Sequence, residues 1–214
     1  MKNKNILEIK ILGKEIFLFI LMFISGLLIY YWLMRKTNMA TASFMFFSEY
    51  CLTFFAGIMG VINTKELVED DIGEILFTIK DAKRKLGINR QFRFMIFYII
   101  LLSIYVFISS LIFKEIIFIN ILLQLIAQSL FMNSLGFLLV VAFKNSGLAL
   151  SGIGLYSVVY YFLYLIIRNT FINFLNIYVT GYFGLPIGET VLLTIKCLIY
   201  SLSFYICGQI NIKR

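Results

Sequence analysis

Histidine is absent from this 214-residue chain. Its absence removes the usual zinc ligand and the usual general base together. Cysteine is sparse, and Cys51, Cys197 and Cys207 all lie in apolar runs. An odd number of such thiols argues against a disulfide framework. Charge is scarce as well: 14% of residues are charged and 61% hydrophobic, with mean hydropathy +0.95. No polar stretch is longer than about 30 residues, so a water-soluble core is excluded and residues 1–214 read as one all-α membrane domain. No G-x-x-x-x-G-K-[ST] motif occurs, so the chain has no P-loop of its own to cradle ATP phosphates. No A-x-A-like site follows the first apolar run, which argues against a cleaved signal peptide.

What is there is a succession of apolar runs near the ~20 residues that span a bilayer. Residues 1–15 interleave Lys2, Lys4, Lys10 and Lys14 with Ile6, Leu7, Ile9, Ile11 and Leu12, the pattern of a short interfacial helix. Six spans are expected, at about 16–34, 43–63, 94–113, 116–143, 147–167 and 190–209. Tyr30, Tyr31 and Trp32 close the first as an interfacial aromatic belt. The second holds Glu49, and Ala56, Gly57 and Gly60 give its far end a face that another helix can approach closely.

The fourth run has 28 residues, ~42 Å of helix against a ~30 Å hydrocarbon core. It must tilt, break or project, and Asn133, Ser134 and Gly136 mark the expected bend. Gln124 and Gln128 share one face of it, suited either to interhelical hydrogen bonds or to lining a pathway. The fifth span opens on a ladder of Gly147, Ser151 and Gly154 and carries Tyr156, Tyr160 and Tyr164 at i, i+4 spacing, as aromatic packing or pathway lining. Residues 168–188, with Pro186 and three glycines, are too apolar for a plain loop and too interrupted for a span. They fit an external re-entrant or interfacial hairpin. The sixth span holds Lys196. Counted inward at 1.5 Å per residue, Glu49 and Lys196 share a depth ~9–10 Å below one boundary, so an ion pair or a shared wet cavity is expected, against separate snorkelling and protonation.

The longest polar segment runs from Lys65 to Arg93. Glu66, Glu69, Asp70, Asp71 and Glu74 come first, and Lys80, Lys83, Arg84, Lys85, Arg90 and Arg93 follow. Ile72, Ile75, Leu76 and Ile79 recur at helical spacing, so the segment reads as an amphipathic helix with acid first and base last, the order a helix dipole favours. Such a helix either lies on the membrane surface or is a socket for a soluble partner. With six spans both termini share a side. Fourteen of the nineteen bases fall on that side and four on the other, which puts termini and acidic helix in the cytoplasm. The net charge of +8 is thereby explained by topology, with no nucleic acid required. Asp70-Asp71 has no second carboxylate cluster, so no metal site is expected. No catalytic residues are expected either. A membrane enzyme would have to use Glu49 and Lys196, and that class and a non-transporting scaffold are the rival readings.

The arrangement resembles an ABC type-2 transporter permease. The resemblance rests on Glu69-Asp70-Asp71-Ile72-Gly73-Glu74-Ile75-Leu76-Phe77-Thr78 between two spans, and on Ser134-Leu135-Gly136-Phe137-Leu138-Leu139 with Phe143-Lys144-Asn145-Ser146 behind it. Glu74 and Lys80 stand where the family usually has Thr and Pro. The resemblance implies a coupling helix in the cytosolic segment 64–93, coupled through residues 64–80, with Glu66, Glu69, Asp70, Asp71, Gly73 and Glu74 meeting the ATPase. It also implies two cytosolic ABC ATPase subunits per complex, which bind ATP and Mg, while this chain binds no cofactor. A second permease copy or a sister permease, surrounding membrane lipid, and a multi-pass place in a bacterial plasma membrane are implied too. The implied cargo is amphipathic or apolar, such as an antimicrobial peptide, a lipid or a drug, mostly moved outward.

Overall fold

The computed structural model describes residues 20–21, 23–26, 28, 31, 40–68, 87–112, 118–166, 176–178 and 187–213. Every regular element among them is helical: α1 (Ala40–Phe47), a π-helical turn (Ser48–Leu52), α2 (Thr53–Val68), α3 (Ile88–Ile112), α4 (Phe118–Phe143), α5 (Ser146–Ile166) and α6 (Ile187–Lys213). The first three follow one another without a gap. Helix is what these sequences must form in an apolar medium, because it satisfies each backbone N–H and C=O within the segment.

Among the described residues four helices are long and apolar enough to cross a membrane: Phe44–Lys65, Ile88–Leu111, Ile119–Phe143 and Ile187–Ile212. Helix α5 has 21 residues, and its apolar part among the described residues is Ser146–Tyr160. The interfacial helix at 1–15, most of the span at 16–34, and most of the hairpin at 168–188 lie outside the described residues.

Polarity is distributed inside out. Ile96 is 60% exposed and Leu111 and Leu192 each 68%, whereas Glu49, Gln91, Gln124, Gln128 and Asn133 are all buried. Water would penalise such a surface heavily, while lipid chains accept it and leave polar groups to find partners inside. The chain is a helical membrane protein.

Helix α4 is central and packs most extensively on α6 and α2. Of the three options open to the fourth run, the break is absent: α4 is continuous for 26 residues, ~39 Å of helix, which leaves tilt or projection. It ends at Lys144, which adopts the left-handed conformation with φ 50°. Its N–H bonds Val140 O at 2.9 Å, closing the last turn. Asn145 then caps α5, its Oδ1 accepting from Leu148 N at 3.0 Å. The polar segment expected at 64–93 is also shorter than its sequence suggests. Helix α2 runs on to Val68 and α3 begins at Ile88, so the two ends of that segment belong to membrane helices.

Candidate functional site

The site is set by where α2 crosses α4. A Cβ added at Gly60 would collide with the Asn133 carbonyl, and one at Gly136 with the Gly57 carbonyl. Backbone therefore lies on backbone, the close approach that small residues permit in membranes. Asn133, one turn before Gly136, reinforces the crossing. Its Nδ2 donates to Ala56 O at 3.0 Å, and its Oδ1 accepts from Tyr205 OH at 2.7 Å. Three helices, α2, α4 and α6, thus meet at one side-chain amide. Gly136, one of the residues that mark the expected bend, is a contact point in this crossing.

About two turns before Ala56, the π-helical turn carries Glu49. The Glu49 carbonyl accepts from Thr53 Oγ1. Tyr98 OH of α3 donates to Leu52 O at 2.7 Å, pinning the end of the turn to a second helix. The buried Glu49 side chain faces α4. Gln124 Nε2 donates to Glu49 Oε1, and Gln128 Nε2 donates to the same oxygen at 3.0 Å. The i, i+4 spacing of the glutamines places both amides beside one carboxyl. Interhelical bonds of this kind contribute about 0.6–2 kcal/mol each in membranes.

A short non-helical segment covers the cluster. Asn176, Ile177 and Tyr178 are all buried, although they belong to no helix. Gln128 Nε2 also donates to Ile177 O at 2.7 Å, and Lys196 Nζ of α6 donates to Asn176 O. Tyr178 stacks on Tyr50 with centroids 4.4 Å apart, and its hydroxyl lies 2.8 Å from Ser157 Oγ of α5. Non-helical backbone at membrane depth persists only where protein covers it and meets its polar groups, and this segment satisfies both conditions.

Glu49 and Lys196, paired by depth from the sequence, are therefore tied to the same three-residue strap, Lys196 directly and Glu49 by way of Gln128. The link runs from Glu49 through Gln128 and Ile177 to Asn176 and Lys196. Gln124 and Gln128, which the sequence placed together, are the groups bonded to the carboxyl. Tyr156 packs on Phe131 of α4 with centroids 5.5 Å apart and on Tyr160 at 4.5 Å, as an aromatic face between helices. Tyr164 lies in α5, with its side chain outside the described residues.

Among the described residues, nothing packs closely on the ladder of Gly147, Ser151 and Gly154. Gly147 and Ser151 are exposed, and a Cβ at Gly154 would meet nothing within 4 Å. Of the coupling residues, Glu66 is in the last turn of α2 with its side chain outside the described residues. Glu69, Asp70, Asp71, Gly73 and Glu74 lie outside them entirely.

Sequence reasoning missed the strap residues Asn176 and Tyr178, the Asn133–Tyr205 bond and a second polar node. In that node Gln91 Nε2 donates to Gly60 O at 2.9 Å and to Thr64 Oγ1 at 2.7 Å. A signal existed for the last: Thr64 and Gln91 each lie next to an apolar run at the two ends of the polar segment. No family of known proteins matches the chain, and neither a curated protein nor a solved structure does. Among the described residues no group of three His, Cys, Asp or Glu converges on a metal position. The described site holds one carboxyl, amides and hydroxyls, an arrangement suited to binding and to transmitting movement between helices.

Proposed function

We propose that the chain is the permease subunit of an ATP-driven ABC exporter, coupled through residues 64–80 to a separate cytosolic ATPase. One observation carries the reading. Helix α2 ends at Val68, immediately before Glu69, Asp70 and Asp71 in the sequence, and the rod it forms with the π-helical turn reaches the buried Glu49 cluster at its other end. From Val68 back to Glu49 is about 28 Å of helix, with the α2–α4 crossing between them. A displacement at the acidic end cannot be absorbed at a backbone-to-backbone contact. It must move α4 and the cluster as well.

In this mechanism ATP and Mg are bound and hydrolysed on two partner subunits, and no residue of this chain is catalytic. Glu66, Glu69, Asp70, Asp71 and Glu74 meet basic or amide groups of the ATPase, with Gly73 letting the backbones approach. The six-span topology, with cytoplasmic termini in a bacterial plasma membrane, puts these acids on the ATP side. A second copy or a sister permease completes the pathway, and the cargo is amphipathic or apolar, such as a peptide, lipid or drug.

Two outcomes are expected. Reversing charge with Glu69→Lys, Asp70→Lys and Asp71→Lys should lower ATP-driven transport roughly 5- to 150-fold, the range of ordinary coupling energies, while leaving the membrane fold unchanged. Normal transport by a triple variant that still copurifies with its ATPase would refute the coupling role. Ser151→Cys, on the outward ladder of α5, should form a disulfide-linked dimer under mild oxidation in native membranes. Cysteines placed along α5 and along residues 16–34 that yield no dimer would contradict the paired arrangement.

A further inference from the structure

The Glu49 cluster holds more acceptors than its donors satisfy. Gln124 and Gln128 are both fully buried, and each commits Nε2 to the Glu49 carboxyl. Their carbonyl oxygens, Gln124 Oε1 and Gln128 Oε1, accept no hydrogen bond. Bond lengths put the oxygen and nitrogen of one amide about 2.2 Å apart, so both carbonyls lie within roughly 5 Å of Glu49 Oε1. Two bare carbonyls beside a carboxyl, all shielded from water, leave acceptors whose desolvation is not offset. Buried acceptors of this kind call for a donor or a cation.

The chemistry narrows the occupant. Carboxyl and amide oxygens are hard ligands, suited to hard cations, and carbonyl oxygens can replace a monovalent ion's hydration shell. A divalent ion fits poorly, because the cluster offers one carboxyl and the Lys196 ammonium holds the same strap. A transition metal has no nitrogen or sulfur ligand set here, since no group of three His, Cys, Asp or Glu occurs among the described residues. The carboxyl itself sits on a π-helical turn, a distortion frequent at functional sites. Asn176–Tyr178 closes over it, fastened by Gln128 and Lys196.

We propose that Glu49, Gln124 and Gln128 form a binding site for one monovalent cation, either an inorganic ion or a primary ammonium group. The amides keep Nε2 on Glu49 and turn Oε1 to the cation. Exchange requires the Asn176–Tyr178 strap to shift. The site does not depend on the ATPase reading and would exist in a scaffold or an enzyme as well.

The test uses the full-length protein in nanodiscs of neutral lipid. Thermal unfolding is followed in choline chloride, which is replaced at constant ionic strength by LiCl, NaCl, KCl or methylammonium chloride. At least one of the four should stabilise the protein saturably, and at a hundred times its dissociation constant the folded-to-unfolded ratio should rise about hundredfold. Stabilisation by the alkali ions assigns an inorganic ion, and stabilisation by methylammonium alone assigns an ammonium-bearing ligand. Glu49→Gln and Gln124→Met should reduce the apparent affinity at least roughly tenfold, the equivalent of about 1.4 kcal/mol. If both variants misfold, the wild type decides alone: with sodium or lithium as ligand, nuclear resonance broadening must disappear on adding an excess of a competing cation, and with methylammonium, its own saturation curve must persist in added MgCl2. Stability indifferent to all four cations overturns the proposal, as does unchanged cation dependence in both folded variants. Equal stabilisation by MgCl2 overturns the monovalent assignment.

Discussion

Removing both glutamine amides, with Gln124→Leu and Gln128→Leu together, is expected to destabilise the membrane fold by about 3–5 kcal/mol. The reason is not the loss of two hydrogen bonds, which are worth about 0.6–2 kcal/mol each. It is that Glu49 remains buried after losing two amide donors that oppose its desolvation. Breaking one side of a buried polar constellation costs more than the constellation contributes. The second half of the prediction follows from the same asymmetry. Adding Glu49→Leu to the double variant removes the stranded carboxyl and leaves three apolar groups among helices, so most of the lost stability should return. Thermal unfolding in detergent, with recovery of folded protein as a second readout, checks both halves. A triple variant no more stable than the double one would show that Glu49 and the glutamines do not act as a unit. Under the proposed exporter role the rescued protein should be inactive in transport, which would separate fold from function.

Alanine at Gly60 and Gly136 is the second substitution with a large expected effect. A methyl group is enough, because the atoms it meets are the backbone carbonyls of Asn133 and Gly57, which cannot rotate out of the way. The helices must separate, and each substitution should cost at the upper end of the roughly 1–3 kcal/mol typical of overpacking. The same change at Gly154 provides the control, since a Cβ there meets nothing within 4 Å. Gly154→Ala should leave the midpoint of the isolated chain within measurement error. Equal effects at all three positions would mean that helix propensity, and not the crossing, decides the outcome.

Much of this architecture is legible in the sequence because bilayer length and hydropathy set it. The helices lie where the apolar runs lie, and Gly57 and Gly60 are where a close approach was expected. The partners of the polar residues were harder to read. Glu49 and Lys196 were matched by depth, which counting residues supplies. Counting does not supply azimuth, and the π-helical turn at Ser48–Leu52 shifts the phase of the helix exactly where Glu49 sits. No proline or glycine announces that turn; the stretch reads Ser-Glu-Tyr-Cys-Leu. Asn133 looked like a bend marker because polar and small residues interrupt an apolar run there, yet in lipid such residues join helices as readily as they break them. Tyr98 and Tyr205 gave no sign either. A tyrosine in an apolar run reads as an aromatic ring, and its hydroxyl becomes informative only when a carbonyl or an amide from another helix is found opposite it.

The proposed role and the buried cluster are joined by one rod, α2, and the role stands or falls on what engages its acidic end. The most direct measurement is ATP hydrolysis by the complex extracted from native membranes in mild detergent through a tag on this chain. The account predicts a vanadate-sensitive ATPase that copurifies in stoichiometric amount, whose hydrolysis is stimulated by cargo in liposomes and whose binding is weakened by Glu69→Lys, Asp70→Lys and Asp71→Lys. A chain that purifies intact without a nucleotide-binding partner, and whose membranes show no hydrolysis dependent on it, would contradict the account.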